Sequence, residues 1–223
     1  MALTDEAILR IKEMIVSGEL RPGDRLPREA DLAETLGLSR NSLREAVRAL
    51  ALINILDVRQ GDGTYVTSLD PELLLDAMTF VVDFHRDDSV LEFLRVRRIL
   101  EPAAAAMAAL VVNPEQVAAM QKVVDSYHSG STPEELLSFD IAFHRLVGAA
   151  AGNSVLASLI EGLSAPTNRA RIWRARTQVD AQERTANEHQ SILDAMAAHE
   201  PDLAHAAMVA HVAGVEGWLR MVR

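Results

Sequence analysis

The 223-residue chain has no cysteine. That excludes disulfide scaffolds, thiolate metal sites, iron–sulfur clusters and cysteine nucleophiles, so any metal must be held by His and carboxylates. Aromatic residues make up only 4%. Alanine, by contrast, supplies 34 positions, a balance that favours close-packed helices over sheet. Long apolar runs are missing as well: the longest, Pro102 to Val112, is far too short to span a bilayer. Residues Met1 to Arg21 mix charges through their apolar positions and lack the apolar core of a signal peptide. The chain is therefore expected in the cytoplasm, away from membranes. Basic excess is also absent, with 22 Lys+Arg against 32 Asp+Glu and a net charge of −10. Bulk attraction to nucleic acid or anionic lipid is excluded, while a locally basic face stays possible.

One segment reads as β. Ile53 to Val58 and Thr64 to Thr67 are short β-branched runs around Arg59-Gln60-Gly61-Asp62-Gly63, a hairpin that must lean on helices to be stable. Three helical patterns precede it, at about 4–17, 28–36 and from Ser39 onward. Gly37-Leu38-Ser39 separates the last two, which makes a helix-turn-helix. After Ser68 the pattern is helical throughout, at about 70–84, 89–112, 114–128, 132–151, 153–176, 180–199 and 201–221, an antiparallel bundle. The fold class expected is mostly α: a winged helix-turn-helix in residues 1–68 and an all-α bundle in 69–223.

Residues 1–68 carry nine basic and 11 acidic side chains, so only −2 of the charge lies there. The helix starting at Ser39 nevertheless opens with Arg40, Asn41, Ser42 and Arg44, free of bulky obstruction. Such a helix can enter a major groove, with Arg40 and Asn41 at base edges and Ser42 and Arg44 on phosphates. The Gly-rich hairpin tip lets backbone approach a minor groove closely.

In the second part, Asp140 and His144 lie one helical turn apart on one face, a spacing suited to two ligands of one ion. His189 and His211 also sit among apolar neighbours, whereas His85, His128, His199 and His205 fall near helix ends or on polar faces. Arg169, Arg171, Arg174 and Arg176 fan around their helix and read as a mostly solvated face. A metal hydrolase or lyase acting on a small carboxylate is the competing reading, but no general base accompanies the set: Glu188 abuts His189 and would point elsewhere.

The stretches Gly18 to Glu29, Leu32 to Leu50 and Gln60 to Val66 resemble the DNA-binding domain of GntR-family transcription regulators. The resemblance implies that Arg40, Asn41, Ser42 and Arg44 touch operator DNA, with Gln60 and Gly61 at the wing tip. Two departures stand out. Ala30 replaces a family arginine, for which Arg28 would substitute from the preceding turn, and Asp62 stands where a basic residue is common. Both imply weaker nonspecific binding or an altered operator. Leu94 to Pro102, the Asp140 to His144 spacing, Glu188-His189 and His211 resemble the FCD-type ligand-binding domain of the FadR subgroup. That resemblance implies one divalent transition metal per chain on Asp140, His144, His189 and His211: zinc, with nickel or manganese also suited. It places Arg97 against an effector carboxylate; Glu101, four residues on, reads as the partner of Arg97, and Asn168 is expected to border the pocket. The function implied is a non-enzymatic, homodimeric repressor on a near-palindromic operator, controlled by a small organic acid.

Overall fold

A computed structural model describes residues 3–69, 90–128 and 130–222. The helix expected at 70–84 lies outside them. The chain divides into two compact units, residues 1–73 and 74–223.

The first unit contains α1 (Leu3–Val16), α2 (Glu29–Leu36), α3 (Arg40–Leu52), β1 (Leu56–Arg59) and β2 (Gly63–Val66). Ala7, Ile11 and Met14 bury one face of α1 against Leu43, Val47 and Leu50 of α3. Gly37 ends α2 in the left-handed region at φ 68°, where its missing Cβ removes the steric penalty. Ser39 then caps α3, its hydroxyl accepting from the Ser42 amide at 3.0 Å. The two strands pair antiparallel from Leu56 opposite Val66 to Arg59 opposite Gly63. The first β run is shorter than its composition suggested: α3 continues through Leu52, and Asn54 takes φ 57° to turn the chain. The hairpin leans on more than helices. Gly23 and Leu26 donate to the Val66 and Thr64 carbonyls at 2.9 and 2.8 Å, so the segment before α2 lines the wing as a third edge.

The second unit is helical in every described element: α4 (Val90–Val111), α5 (Pro114–Val124), α6 (Pro133–Ala150), α7 (Ser154–Ser164), α8 (Asn168–Thr177), α9 (Ala181–Ala197) and α10 (Pro201–Met221). Pro114, Pro133 and Pro201 each open a helix, where the absent N–H costs nothing. Asn113 and Thr132 close capping boxes with Gln116 and Glu135. Alanines 105, 108 and 109 let α4 approach its neighbours closely, and Phe143, Val147, Ile192, Leu193, Met196 and Met208 complete the core. The expected single helix over 153–176 is two helices joined by a 3-10 turn, Ala165–Thr167. Pro166 lacks the N–H that a continuous helix needs and its ring clashes with the preceding turn. The helix expected to run to 128 stops at Val124, which frees Tyr127 to pack edge-on against Phe139 and His189.

Candidate functional site

Three helices of the second unit converge on one buried point. Helix α6 carries Asp140 and His144 on its inner face, α9 carries His189 and α10 carries His211. One donor atom from each of the four lies within 4.8 Å of every other, and all four residues are buried. The Nε2 atoms of His144 and His189 lie 3.2 and 3.3 Å from Nε2 of His211. Asp140 Oδ1 is 3.6, 3.4 and 3.9 Å from the Nε2 atoms of His144, His189 and His211. Donors about 2.1 Å from one ion stand about 3.0 Å apart at right angles and about 3.4 Å at tetrahedral angles. Most of these edges fall near that range.

The outer nitrogens explain why the rings face inward. Glu188 Oε2 accepts from His211 Nδ1 at 2.8 Å. Glu101 Oε2 lies 2.7 Å from His144 Nδ1, in charge contact though out of hydrogen-bond alignment. Tyr127 Oη is 3.3 Å from His189 Nδ1. A carboxylate only accepts, so the proton of the neutral His211 ring sits on Nδ1, and the charge contact favours the same tautomer in His144. Their Nε2 lone pairs then point at one another. A cation among them removes that repulsion, and the donor set fits a divalent transition metal.

Burial pushes His189 down to about 3 and lowers His211, so protons do not supply that cation on these rings. Burial would lower His144 too, but the Glu101 charge raises it. Asp140 would be raised by burial, yet the Arg171 guanidinium and His144 hold it well below the usual carboxylate range. Phe143 closes the floor, stacked on His189 at 4.1 Å between ring centroids. Phe143→Ala should cost about 3–5 kcal/mol in a urea unfolding curve.

Of the four arginines of α8, Arg169 and Arg176 are exposed as expected, but Arg171 and Arg174 leave the solvated face. Arg171 and Arg174 are 8% and 4% exposed. Three residues apart on a helix, they share a side, and α8 turns that side inward. Arg171 binds the outer oxygen of Asp140, and its Nη2 donates to Ser164 Oγ at 2.6 Å and Asn168 Oδ1 at 2.7 Å. Arg97 is taken up by Glu101, and its Nη1 donates to Thr167 Oγ1 at 3.0 Å. Glu188 is corrected as well: it does point into the cluster, because α10 passes beside α9 and brings His211 to it. Glu101 against His144, and Tyr127, are further parts of the site that spacing did not signal.

Two cavities touch the cluster without sharing a lining residue. The smaller, about 40 Å³, is bordered by Asp140, His211, Arg171, Arg174 and Tyr127. The larger, about 150 Å³, is bordered by Arg97, Glu101, His144 and Asn168.

In the first unit, Arg40 and Asn41 stand exposed on the first turn of α3. The Ser42 hydroxyl is 2.8 Å from Ser39 Oγ, and Arg44 Nε donates to Glu29 at 3.2 Å. Arg28 precedes α2, exposed, and Gln60 and Gly61 form the exposed wing turn, Gly61 at φ 78°. Asp62 has an internal role: its carboxylate accepts from Tyr65 Oη at 2.9 Å, and its carbonyl from Arg25. Arg25 packs so closely that a Cβ on Gly63 would meet its Nε at 2.5 Å.

Residues 3–66 match the family of bacterial regulatory proteins, gntR family, and residues 92–214 match the FCD domain. The HTH-type transcriptional regulator LutR of Bacillus subtilis (strain 168) is 32% identical over 209 residues, 91% of this chain and 94% of LutR. The putative L-lactate dehydrogenase operon regulatory protein of Escherichia coli (strain K12) is 30% identical over 224 residues, 96% of this chain and 84% of that protein. The galactonate operon transcriptional repressor of the same organism is 27% identical over 215 residues, 94% and 93% of the two chains. Among solved structures, Streptococcus agalactiae GntR superposes with a TM-score of 0.72 at 29% identity, covering 96% of this chain and 98% of that one. These relatives are regulators, so the hydrolase or lyase reading is set aside. The chain belongs to the gntR family of bacterial regulatory proteins, with an FCD domain in its helical part and transcriptional regulation as its work.

Proposed function

We propose that the chain is a homodimeric, cytoplasmic repressor that leaves its operator when a small organic acid binds beside a divalent metal on Asp140, His144, His189 and His211. The convergence of three imidazole Nε2 atoms and one carboxylate oxygen carries this reading. Bound there, a zinc, nickel or manganese ion supplies a Lewis-acidic docking point for carboxylate and hydroxyl oxygens. Glu101 and Glu188 hold two of the rings, and Arg171 holds Asp140. The domain boundary is placed at residues 68 and 69.

Arg40 and Asn41 read base edges, Ser42 and Arg44 hold phosphates, and Arg28, Gln60 and Gly61 flank them. The Arg44 guanidinium exchanges Glu29 for phosphate on binding. A dimer matches a near-palindromic operator. An exposed apolar row on α4 supports it: Val96, Ile99, Met107 and Leu110 follow helical spacing, with Ile99 at 69% and Leu110 at 66% exposure. Among the described residues, no helix is long and apolar enough to cross a membrane.

Two relatives are named for L-lactate dehydrogenase and galactonate operons. Lactate and galactonate both carry a hydroxyl next to a carboxylate, a pair that chelates a metal. The acid must bind the operator-free state more tightly to act. Fluorescence anisotropy with duplex DNA from upstream of the protein's own gene tests this. Metal-loaded protein should bind at stated salt and be released by a 2-hydroxy acid. Binding no tighter than to a scrambled duplex, or an unchanged response to acid after chelation, would overturn it.

A further inference from the structure

Arg174 is a buried cation that no carboxylate touches among the described residues: Glu188 and Asp140 attract it from a distance, but they are engaged by Arg184 and Arg171. Its Nε donates to Gln178 at 2.9 Å, but its Nη2 is buried without a partner. Among the described residues it forms no ion pair, whereas Arg97 is paired with Glu101 and Arg171 with Asp140. Burying a guanidinium N–H away from water is costly when no acceptor or counter-charge replaces the solvent. A site that keeps such a group is one that an anion completes.

The surroundings say where the anion goes and how large it is. Arg174 borders the cavity of about 40 Å³, whose walls include Asp140 and His211 on one side and Leu136 and Val215 on another. One water-sized sphere needs about 10–15 Å³ on this kind of measure, so the space holds about three waters. That suits an acid of two to four carbons better than a longer chain. Charge points the same way. The carboxylates of Asp140, Glu101 and Glu188 face the guanidiniums of Arg97, Arg171, Arg174 and Arg184, so a divalent ion leaves the site positive.

We propose that Arg174 is the specificity-determining anion grip of this site, taking the carboxylate of a short 2-hydroxy acid in the small cavity, with the acid's other oxygens toward Asp140 and His211. The inference rests on the metal-and-acid reading above and narrows it. Arg97 serves as a positioning residue that holds Glu101 against His144, and the larger cavity it borders is not the acid's seat. A planar guanidinium accepts a carboxylate through two parallel hydrogen bonds, which a lysine cannot reproduce.

Isothermal titration calorimetry of the metal-loaded full chain, with glycolate, L-lactate and D-galactonate as probes, tests the assignment. A short acid should bind the wild type. Arg174→Gln should weaken it at least tenfold with metal content unchanged by elemental analysis, and Arg174→Lys should recover only part. Without acid, Arg174→Gln should melt close to the wild type, because no ion pair is lost with the guanidinium. Binding to Arg174→Gln within twofold of wild type overturns the inference and leaves the metal-and-acid reading standing. So does tight binding of galactonate with none of the short acids. Failure of all three probes to bind the wild type overturns both. Should Arg97→Gln, the companion variant, bind short acids as well as wild type, Arg97 is confirmed outside the acid's seat. Should it lose them while keeping its metal, the grip is Arg97 and the inference falls.

Discussion

Chelating the metal is expected to lower the melting temperature of the helical unit by about 5–15 °C, the largest stability effect the structure predicts. An ion present at 100 to 1,000 times its dissociation constant stabilises the folded state by about 2.7–4.1 kcal/mol. For a unit of this size each kcal/mol corresponds to about 2–4 °C. The physical source is the inward-facing imidazoles: without a metal ion, only a proton on His144 can bridge the 3.2 Å between its Nε2 and that of His211, and burial leaves His189 none to offer. Replacing His189 by Ala should remove the metal and make the melting temperature insensitive to chelator, while circular dichroism stays helical. Purified protein that carries no divalent ion and melts identically with and without chelator would sink the metal centre.

Arg40→Ala is expected to weaken operator binding by about 30-fold or more. A well-placed arginine on a base edge contributes about 1–3 kcal/mol, and a symmetric dimer loses it in both half-sites. The first turn of α3 owes its geometry to the Ser39 cap rather than to Arg40, so the variant should fold normally. Arg44→Ala should act differently. Its guanidinium is shared with Glu29 and aimed at phosphate, so its loss should weaken binding to all sequences alike and lower the salt slope. With 11 acidic against nine basic residues in the first 68, bulk attraction gives little rescue. Unchanged affinity of Arg40→Ala in anisotropy at two salt concentrations would remove α3 from the groove.

How much could be read before the structure depended on the range of the interaction. Gly37 and Ser39, the prolines at 114, 133 and 201, and the wing glycines act on backbone within four residues, so their consequences are written locally. The Asp140 and His144 spacing is of the same kind. Pro166 was legible too in principle, since a missing N–H in mid-helix is a local fault, and it divides the segment expected as one helix.

The partners across helices were not legible. Glu188 lies 23 positions from His211, and Arg171 lies 31 from Asp140. No periodicity on one helix reports which face of another will oppose it. Arg171 and Arg174 looked solvated because four arginines spread around a helix have no single apolar stripe to orient it. The sequence by itself determined a winged helix-turn-helix followed by a helical bundle and a short list of ligand-type residues, because caps, breakers and hydrophobic period are local properties. Tertiary structure decided which rings face one another, which carboxylates back them and that Arg174 is buried with no carboxylate in contact. Those outcomes depend on how α4, α6, α8, α9 and α10 pack, and packing is settled by the whole core at once.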